Sequence, residues 1–187
     1  HCRKCGKPVE KEAPQKVWEV ISNQFSVFSF QSARAEADNS KLQNSNPELL
    51  ITFDLALSEK ISLKDSLELI AKQGYQRLLV NGEVVRIADA PSLITNHLSL
   101  ITVVQDRLRL APESRARFIE ACEQAYHFGK GRLTVHLFPE RSASDPISHL
   151  PSPIFFSNRF HCAACDLDYR EPSPALFSFN HPVGACP

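Results

Sequence analysis

Tyr75-Gln76-Arg77-Leu78-Leu79-Val80-Asn81-Gly82-Glu83-Val84-Val85-Arg86-Ile87 is two short apolar runs joined by Asn-Gly. Asn-Gly between two such runs marks a β-hairpin, because both residues accept the positive φ that a two-residue turn of the right twist demands. A hairpin needs further strands and a covering layer to bury its apolar side. The flanking sequence supplies both.

On the N-terminal side, Ser62-Leu63-Lys64-Asp65 has the form of a helix N-cap, whose side chain satisfies an orphan amide. The helix it opens carries Leu63, Leu67 and Ile70 on one face and stops at Gly74. Before it, Leu49–Leu55 is a β-rich apolar run. On the C-terminal side, residues 88–96 form a loop around Pro91, and Leu98–Val104 is a strand that runs on to Leu108. Pro112 opens a second helix with an apolar stripe of Phe118, Ala121, Cys122, Ala125 and Phe128, ended by Gly129. Leu133, Val135 and Leu137 then alternate with Arg132, Thr134 and His136, the signature of a half-buried strand. The order strand–helix–hairpin–strand–helix–strand predicts an α+β fold. Its antiparallel sheet carries two helices on one face, close to a split βαβ arrangement.

Residues 48–140 therefore form one α/β unit. Residues 1–47 hold a Cys knuckle, a helix over 14–23, a short strand around Phe25, Val27 and Phe28, and a polar loop over 32–47. Residues 141–187 hold a Pro/Ser-rich linker, reaching Pro153, and a small metal module.

Five of the six cysteines are spaced for metal binding, and Cys122 stands alone. Cys162-Ala163-Ala164-Cys165 offers two thiolates from one turn, half of a tetrahedral zinc site. Cys186 stands where a second half would begin, and we expect the fourth ligand about two positions beyond Pro187, completing a four-cysteine module. Cys2 and Cys5, followed by Gly6, form a second knuckle. It either binds zinc with residues upstream of His1 or holds no metal. Paired thiols at this spacing, with no secretion signal in the chain, favour zinc in a reducing cytoplasm over disulfides. Cys122 reads as a small buried hydrophobe. His161 and His181 lie near the cysteines and are read as surface residues able to stand in as a fourth ligand.

Net charge is zero over 187 residues, which excludes a free-standing nucleic-acid binder with a dominant basic field. No apolar run approaches the roughly 20 residues that span a bilayer. The absence of Met, at position 1 included, leads us to expect an internal piece of a longer protein. No phosphate loop or H-E-x-x-H motif is present, so no catalytic residue is assigned. His136 sits on the polar side of its strand. Asp106 and Arg107 read as a strand-end ion pair, and Arg77, Arg86 and Arg107 as an outward basic face that could bind a partner.

Two groups of motifs resemble the UvrA family of the excinuclease ABC system. The first is CAAC at 162–165 followed by EPSPALFSFNHPVGACP at 171–187. The second is KQGYQRLLVNGEVV, TVVQDRLRL, SRARFIEACEQA and GKGRL, in that order between residues 72 and 133. The resemblance implies a domain inserted into the first ATP-binding half of a DNA-damage-recognition ATPase of nucleotide excision repair. It further implies docking of a UvrB-like protein, a DNA-facing side, zinc at the first four-cysteine module, a homodimeric cytoplasmic parent and an SOS-response role. ATP would bind the intact parent outside this segment, and the segment alone would not hydrolyse it. Leu57-Ser58-Glu59-Lys60-Ile61 departs from the family's basic Lys-Gly-Glu segment. That departure keeps open a paralogue without UvrB docking, serving drug tolerance or self-protection. An unrelated zinc-ribbon adaptor is the remaining alternative.

Overall fold

A computed structural model of the chain describes residues 1–32, 47–57, 61–93, 100–138, 153–162 and 165–178. The elements run α1 (Pro14–Ser32), β1 (Glu48–Ala56), α2 (Leu63–Lys72), β2 (Arg77–Val80), β3 (Glu83–Arg86), α3 (Ala90–Leu93), β4 (Leu100–Arg109), α4 (Arg115–Phe128), β5 (Arg132–Phe138), β6 (Ile154–Ser157), β7 (His161–Cys162) and β8 (Leu167–Asp168). Strands β1 to β6 form one sheet in the order β3-β2-β4-β1-β5-β6, and each neighbouring pair is antiparallel. β7 and β8 form a separate small hairpin.

The α+β class and the antiparallel sheet follow the sequence. Asn81 and Gly82 take φ of 52° and 83°, the pair of positive values that closes β2 onto β3. Ser62 caps α2, accepting the Asp65 amide at 3.1 Å while its hydroxyl donates to the Asp65 carboxylate at 2.7 Å. β1 lies at the sheet's centre, and Leu49, Leu50, Ile51, Thr52 and Phe53 are all buried, which is why it reads as a continuous apolar run. Leu49, Ile51 and Phe53 share one core with Leu67 and Ile70 of α2 and with Phe118, Ala121, Cys122 and Ala125 of α4.

Three features depart from the expectation. α1 continues to Ser32, so the positions read as a short strand around Phe25, Val27 and Phe28 are helical. Val17, Ile21, Phe25 and Phe28 recur at intervals of four, four and three, a helical period that continues past residue 23. This helix is a third one on the sheet: Val17 and Ile21 enter the same core, and Trp18 packs edge-on against Phe118 with ring centroids 5.1 Å apart. Ile154–Ser157 is a sixth strand, pairing with β5, and Phe156 joins the core. Pro91 lies in the short helix α3 rather than in an open loop. Most of the stretch read as a linker, 139–152, lies outside the described residues, as does most of the polar loop over 32–47.

A β-bulge shapes the centre of the sheet. Ile51 pairs with Asp106 and Thr52 with Val104, so Gln105 is the extra residue on β4. Gln105 accepts the Tyr75 hydroxyl at 3.1 Å, and Asp106 binds the Arg117 guanidinium of α4 through two contacts of 2.7 Å. Asp106 thus ties the helix to the sheet instead of pairing with Arg107, whose own partner is Glu48.

The chain enters and leaves this unit side by side. The Glu12 amide donates to the Ser157 carbonyl at 2.8 Å, and the Ser157 amide donates to the Glu12 carboxylate at 3.0 Å. The Tyr126 hydroxyl of α4 donates to the Glu12 carbonyl at 2.8 Å. Burial raises the pKa of the Glu12 carboxyl. Lys11 pairs with Glu171 and lies 5.2 Å from the Phe160 ring centroid. These contacts deliver the two ends of the unit to one place.

Candidate metal centre

Each C-x2-C segment makes its own tight turn. In the first, the Gly6 amide donates to the Cys2 carbonyl at 2.8 Å, the Cys2 amide donates to the Lys7 carbonyl at 2.7 Å, and the Lys4 amide approaches the Cys2 sulfur at 3.4 Å. In the second, the Cys165 amide donates to the Cys162 carbonyl at 3.1 Å, and β7 pairs with β8. Both turns need a left-handed residue directly after the second cysteine. Gly6 fills that position with φ of 71°, and Asp166 fills the equivalent one with φ of 52°.

The fold sets these two turns against each other. The sulfurs of Cys2, Cys5, Cys162 and Cys165 all lie within 4.8 Å of one another, and Cys5 Sγ is 3.6 Å from Cys162 Sγ. A tetrahedral zinc with Zn–S bonds of about 2.3 Å places its sulfurs roughly 3.8 Å apart. The cluster is within about an ångström of that geometry, so the four residues fit the ion and could hold it. Cys2 and Cys162 are buried, Cys165 is half-buried and Cys5 is exposed. The partners of the first knuckle are therefore 157 residues away at the nearest pairing, Cys5 with Cys162. Cys186, expected as the third ligand, lies outside the described residues, as does His181.

Four thiols this close cannot all ionise without a cation between them. A hydrogen bond from the Tyr169 hydroxyl, with help from backbone amides, lowers Cys2 to about 5. Hydrogen bonding to Cys5, then burial, pushes Cys165 up to about 12. A dication at the centre would level this asymmetry, because it favours every thiolate at once. Tyr169 also accepts the Arg3 amide at 2.8 Å, linking the two knuckles away from the sulfurs.

Behind the second knuckle, His161 is not the surface residue that the sequence suggested; it belongs to a buried-to-exposed group with Asp166 and Arg132, two residues the sequence pattern did not single out as site residues. His161 is buried, and its Nε2 donates to Asp166 at 2.9 Å. Asp166 also binds Arg132 of β5 at 2.6 Å. The bond from His161, followed by the Arg132 charge, lowers the Asp166 carboxyl pKa. A signal was available in the sequence: an acidic residue stands after Cys165 where glycine stands after Cys5.

The three arginines fall on one face of the sheet, the face opposite the helices. Arg77 and Arg86 are direct cross-strand partners, both exposed, and neither has an ion-pair partner among the described residues. Arg107 stands opposite Leu50 on the same face, but its guanidinium is held by Glu48 through two contacts of 2.5 Å. That pairing lowers the Glu48 carboxyl pKa. His136 is half-buried, with its ring nitrogen 3.0 Å from the Thr52 hydroxyl, and burial lowers its pKa. Cys122 is fully buried among core residues. No helix of the described residues is long and apolar enough to cross a membrane.

The sequence matches the family described as the UvrA interaction domain over residues 32–138. It is 31% identical over 157 residues to the UvrABC system protein A of Escherichia coli strain K12, covering 84% of this chain and 16% of that protein. The same protein of Salmonella typhi matches to the same extent. That of Xanthomonas axonopodis pv. citri strain 306 is 37% identical over 120 residues, covering 64% of this chain and 11% of its own length. The chain thus spans about a sixth of the length of the curated relatives it matches. With more than half of its residues inside the UvrA interaction domain, the chain belongs to the UvrA family.

Proposed function

We propose that this segment is a docking module of a UvrA-type nucleotide excision repair ATPase, closed at its neck by one zinc ion on Cys2, Cys5, Cys162 and Cys165. The observation that carries the reading is the meeting of two knuckles, distant in sequence, within 4.8 Å at the point where the chain enters and leaves the α/β unit. Four protein sulfurs leave no open position on zinc, so the ion's contribution is structural. Cys2 and Cys162 supply the buried half of the shell, and Cys5 and Cys165 the half nearer solvent.

On this reading the domain binds a UvrB-type protein, and the intact parent, a homodimer, binds ATP and double-stranded DNA through parts outside this chain. Arg77 and Arg86 are the cationic candidates for the partner, being exposed, adjacent and unpaired among the described residues. Arg107 contributes less, since Glu48 already neutralises it. Metal analysis of the purified chain tests the first part. One zinc per chain is expected, with loss in Cys165→Ser; zinc retained in full by that variant refutes the ligand set. Calorimetric titration of the whole chain against the UvrB-type protein of the same organism tests the second. Arg77→Glu or Arg86→Glu should weaken binding by about 2 kcal/mol, and rising salt should weaken it further.

A second reading, a paralogue without UvrB docking, draws support from two observations: Arg107 is engaged within the domain, and residues 57–61 depart from the family's basic segment. Absence of binding by a folded, zinc-loaded chain at micromolar concentration would favour it. An adaptor unrelated to UvrA is set aside by the family membership.

A further inference from the structure

We infer that Asp166 is a positioning residue of the four-thiolate site, fastening the second knuckle to strand β5 through one carboxylate shared between His161 and Arg132. The inference rests on the zinc reading above and extends it to residues that touch no metal.

Three independent observations meet at this residue. Its backbone is left-handed, φ 52°, in the position that Gly6 fills in the first knuckle. Aspartate tolerates this region better than most non-glycine residues, and unlike glycine it places a carboxylate at the turn. What the carboxylate does is visible in its contacts. Asp166 Oδ1 accepts from His161 Nε2 at 2.9 Å and from an Arg132 guanidinium nitrogen at 2.6 Å. His161 directly precedes Cys162 and is buried, and its Nδ1 is the buried side-chain polar atom without a partner among the described residues. The Asp166 bond is therefore the ring's one side-chain hydrogen bond among the described residues. Arg132 opens β5, two residues before Thr134, which stands opposite Thr52 of the central strand.

The carboxylate consequently joins the knuckle, from both of its strands, to the rigid sheet. His161 stands on β7, Asp166 precedes β8, and Arg132 belongs to the interaction domain. The Arg132–Asp166 pair is solvent-exposed, so its value lies in direction more than in strength. Groups that orient ligand-bearing segments without touching the metal change its affinity by about 10-fold to 100-fold. The first knuckle has no such strut among the described residues; it is oriented by Tyr169 and by the Glu12–Ser157 contacts.

The test compares zinc release to a chromogenic chelator from the whole chain and four variants. Asp166→Gly keeps the left-handed turn and removes the carboxylate; zinc should leave about tenfold faster, with the melting temperature of the α/β unit unchanged. Asp166→Asn keeps an acceptor for His161 and should fall between. Arg132→Gln cuts the strut at its other end and leaves the knuckle's sequence intact, and it should accelerate release as well. The double variant Asp166→Gly/Arg132→Gln should release no faster than Asp166→Gly alone, because both act through one link. Cobalt substituted for zinc should show altered visible absorption bands in Asp166→Gly, a readout that global stability does not move. A wild-type chain without bound zinc overturns both this inference and the zinc reading. One zinc per wild-type chain, with wild-type release from Asp166→Gly and additive effects in the double variant, overturns this inference alone.

Discussion

Replacing Gly129 by alanine should destabilise the domain, although at a helix end with negative φ and free space the same change is harmless or helpful. Gly129 ends α4 with φ of −80°, a conformation open to any residue, so backbone preference gives no reason for glycine here. Fewer unfolded conformations would on their own favour alanine by about 0.4–1 kcal/mol. Space decides otherwise. A Cβ at this position would lie 2.2 Å from the Arg132 carbonyl oxygen, 2.7 Å from that of Ala125 and 2.8 Å from Phe53 Cβ. Two of the three are backbone atoms and the third is a Cβ, so no rotamer change relieves the contact. The strand start must retreat by about 1 Å, an overpacking cost of about 1–3 kcal/mol. The retreat also strains the bonds from the Gly129 amide to Ala125 (2.7 Å) and from the Arg132 amide to Gly129 (3.1 Å). At about 1 kcal/mol each, the sum after the entropic gain is roughly 2–4 kcal/mol of lost stability. For a domain of this size that is a fall in melting temperature of about 5–12 °C. Thermal and urea unfolding followed by circular dichroism read it directly. A variant melting at the wild-type temperature, or above it, would refute the argument that the α4–β5 junction is sterically closed.

Chelation of the zinc should free the two knuckles while leaving the α/β core folded, because the two Glu12–Ser157 hydrogen bonds, about 1 kcal/mol each, and the packed core still hold the neck together. Hydrogen exchange should quicken at residues 2–7 and 161–168 and stay slow at Val103 and Val135; loss of protection throughout would show that the core depends on the metal. His136 should make folding pH-dependent. Burial holds its folded-state pKa below the ordinary 6.5, so the stability from its neutral ring is present above pH 6.5 and is lost as pH falls through the folded-state value. His136→Gln should flatten that part of the stability–pH curve, and an unchanged slope would count against it. Cys122, whose thiol burial pushes up to about 12, should resist alkylation in the folded chain and react only on unfolding, which mass spectrometry of labelled peptides checks.

Local chemistry made much of this fold readable from the sequence. Asn81-Gly82 specifies a hairpin because few other dipeptides accept two positive φ values, and Ser62 specifies a helix start because its hydroxyl can bind the Asp65 amide. The buried run of β1 and the stripe of α4 show in their apolar periods, since burial imposes those periods along the chain. Each C-x2-C turn is legible for the same reason: a knuckle is closed by hydrogen bonds among neighbours. Interactions between distant segments leave weaker traces. Ile154–Ser157 becomes a strand only because β5 offers it a free edge, and a four-residue run that follows a proline-rich stretch carries little pattern of its own. Arg107 looks outward and cationic in sequence, yet register sets it against Glu48, 59 residues away. Above all, the two thiols of one knuckle say that they need two more and nothing about which. Sequence distance pointed from Cys165 toward Cys186, which lies outside the described residues, and the fold brings Cys2 and Cys5 beside Cys162 and Cys165. That juxtaposition follows from α1 and β6 packing into the same core, which carries both ends of the α/β unit to a single neck.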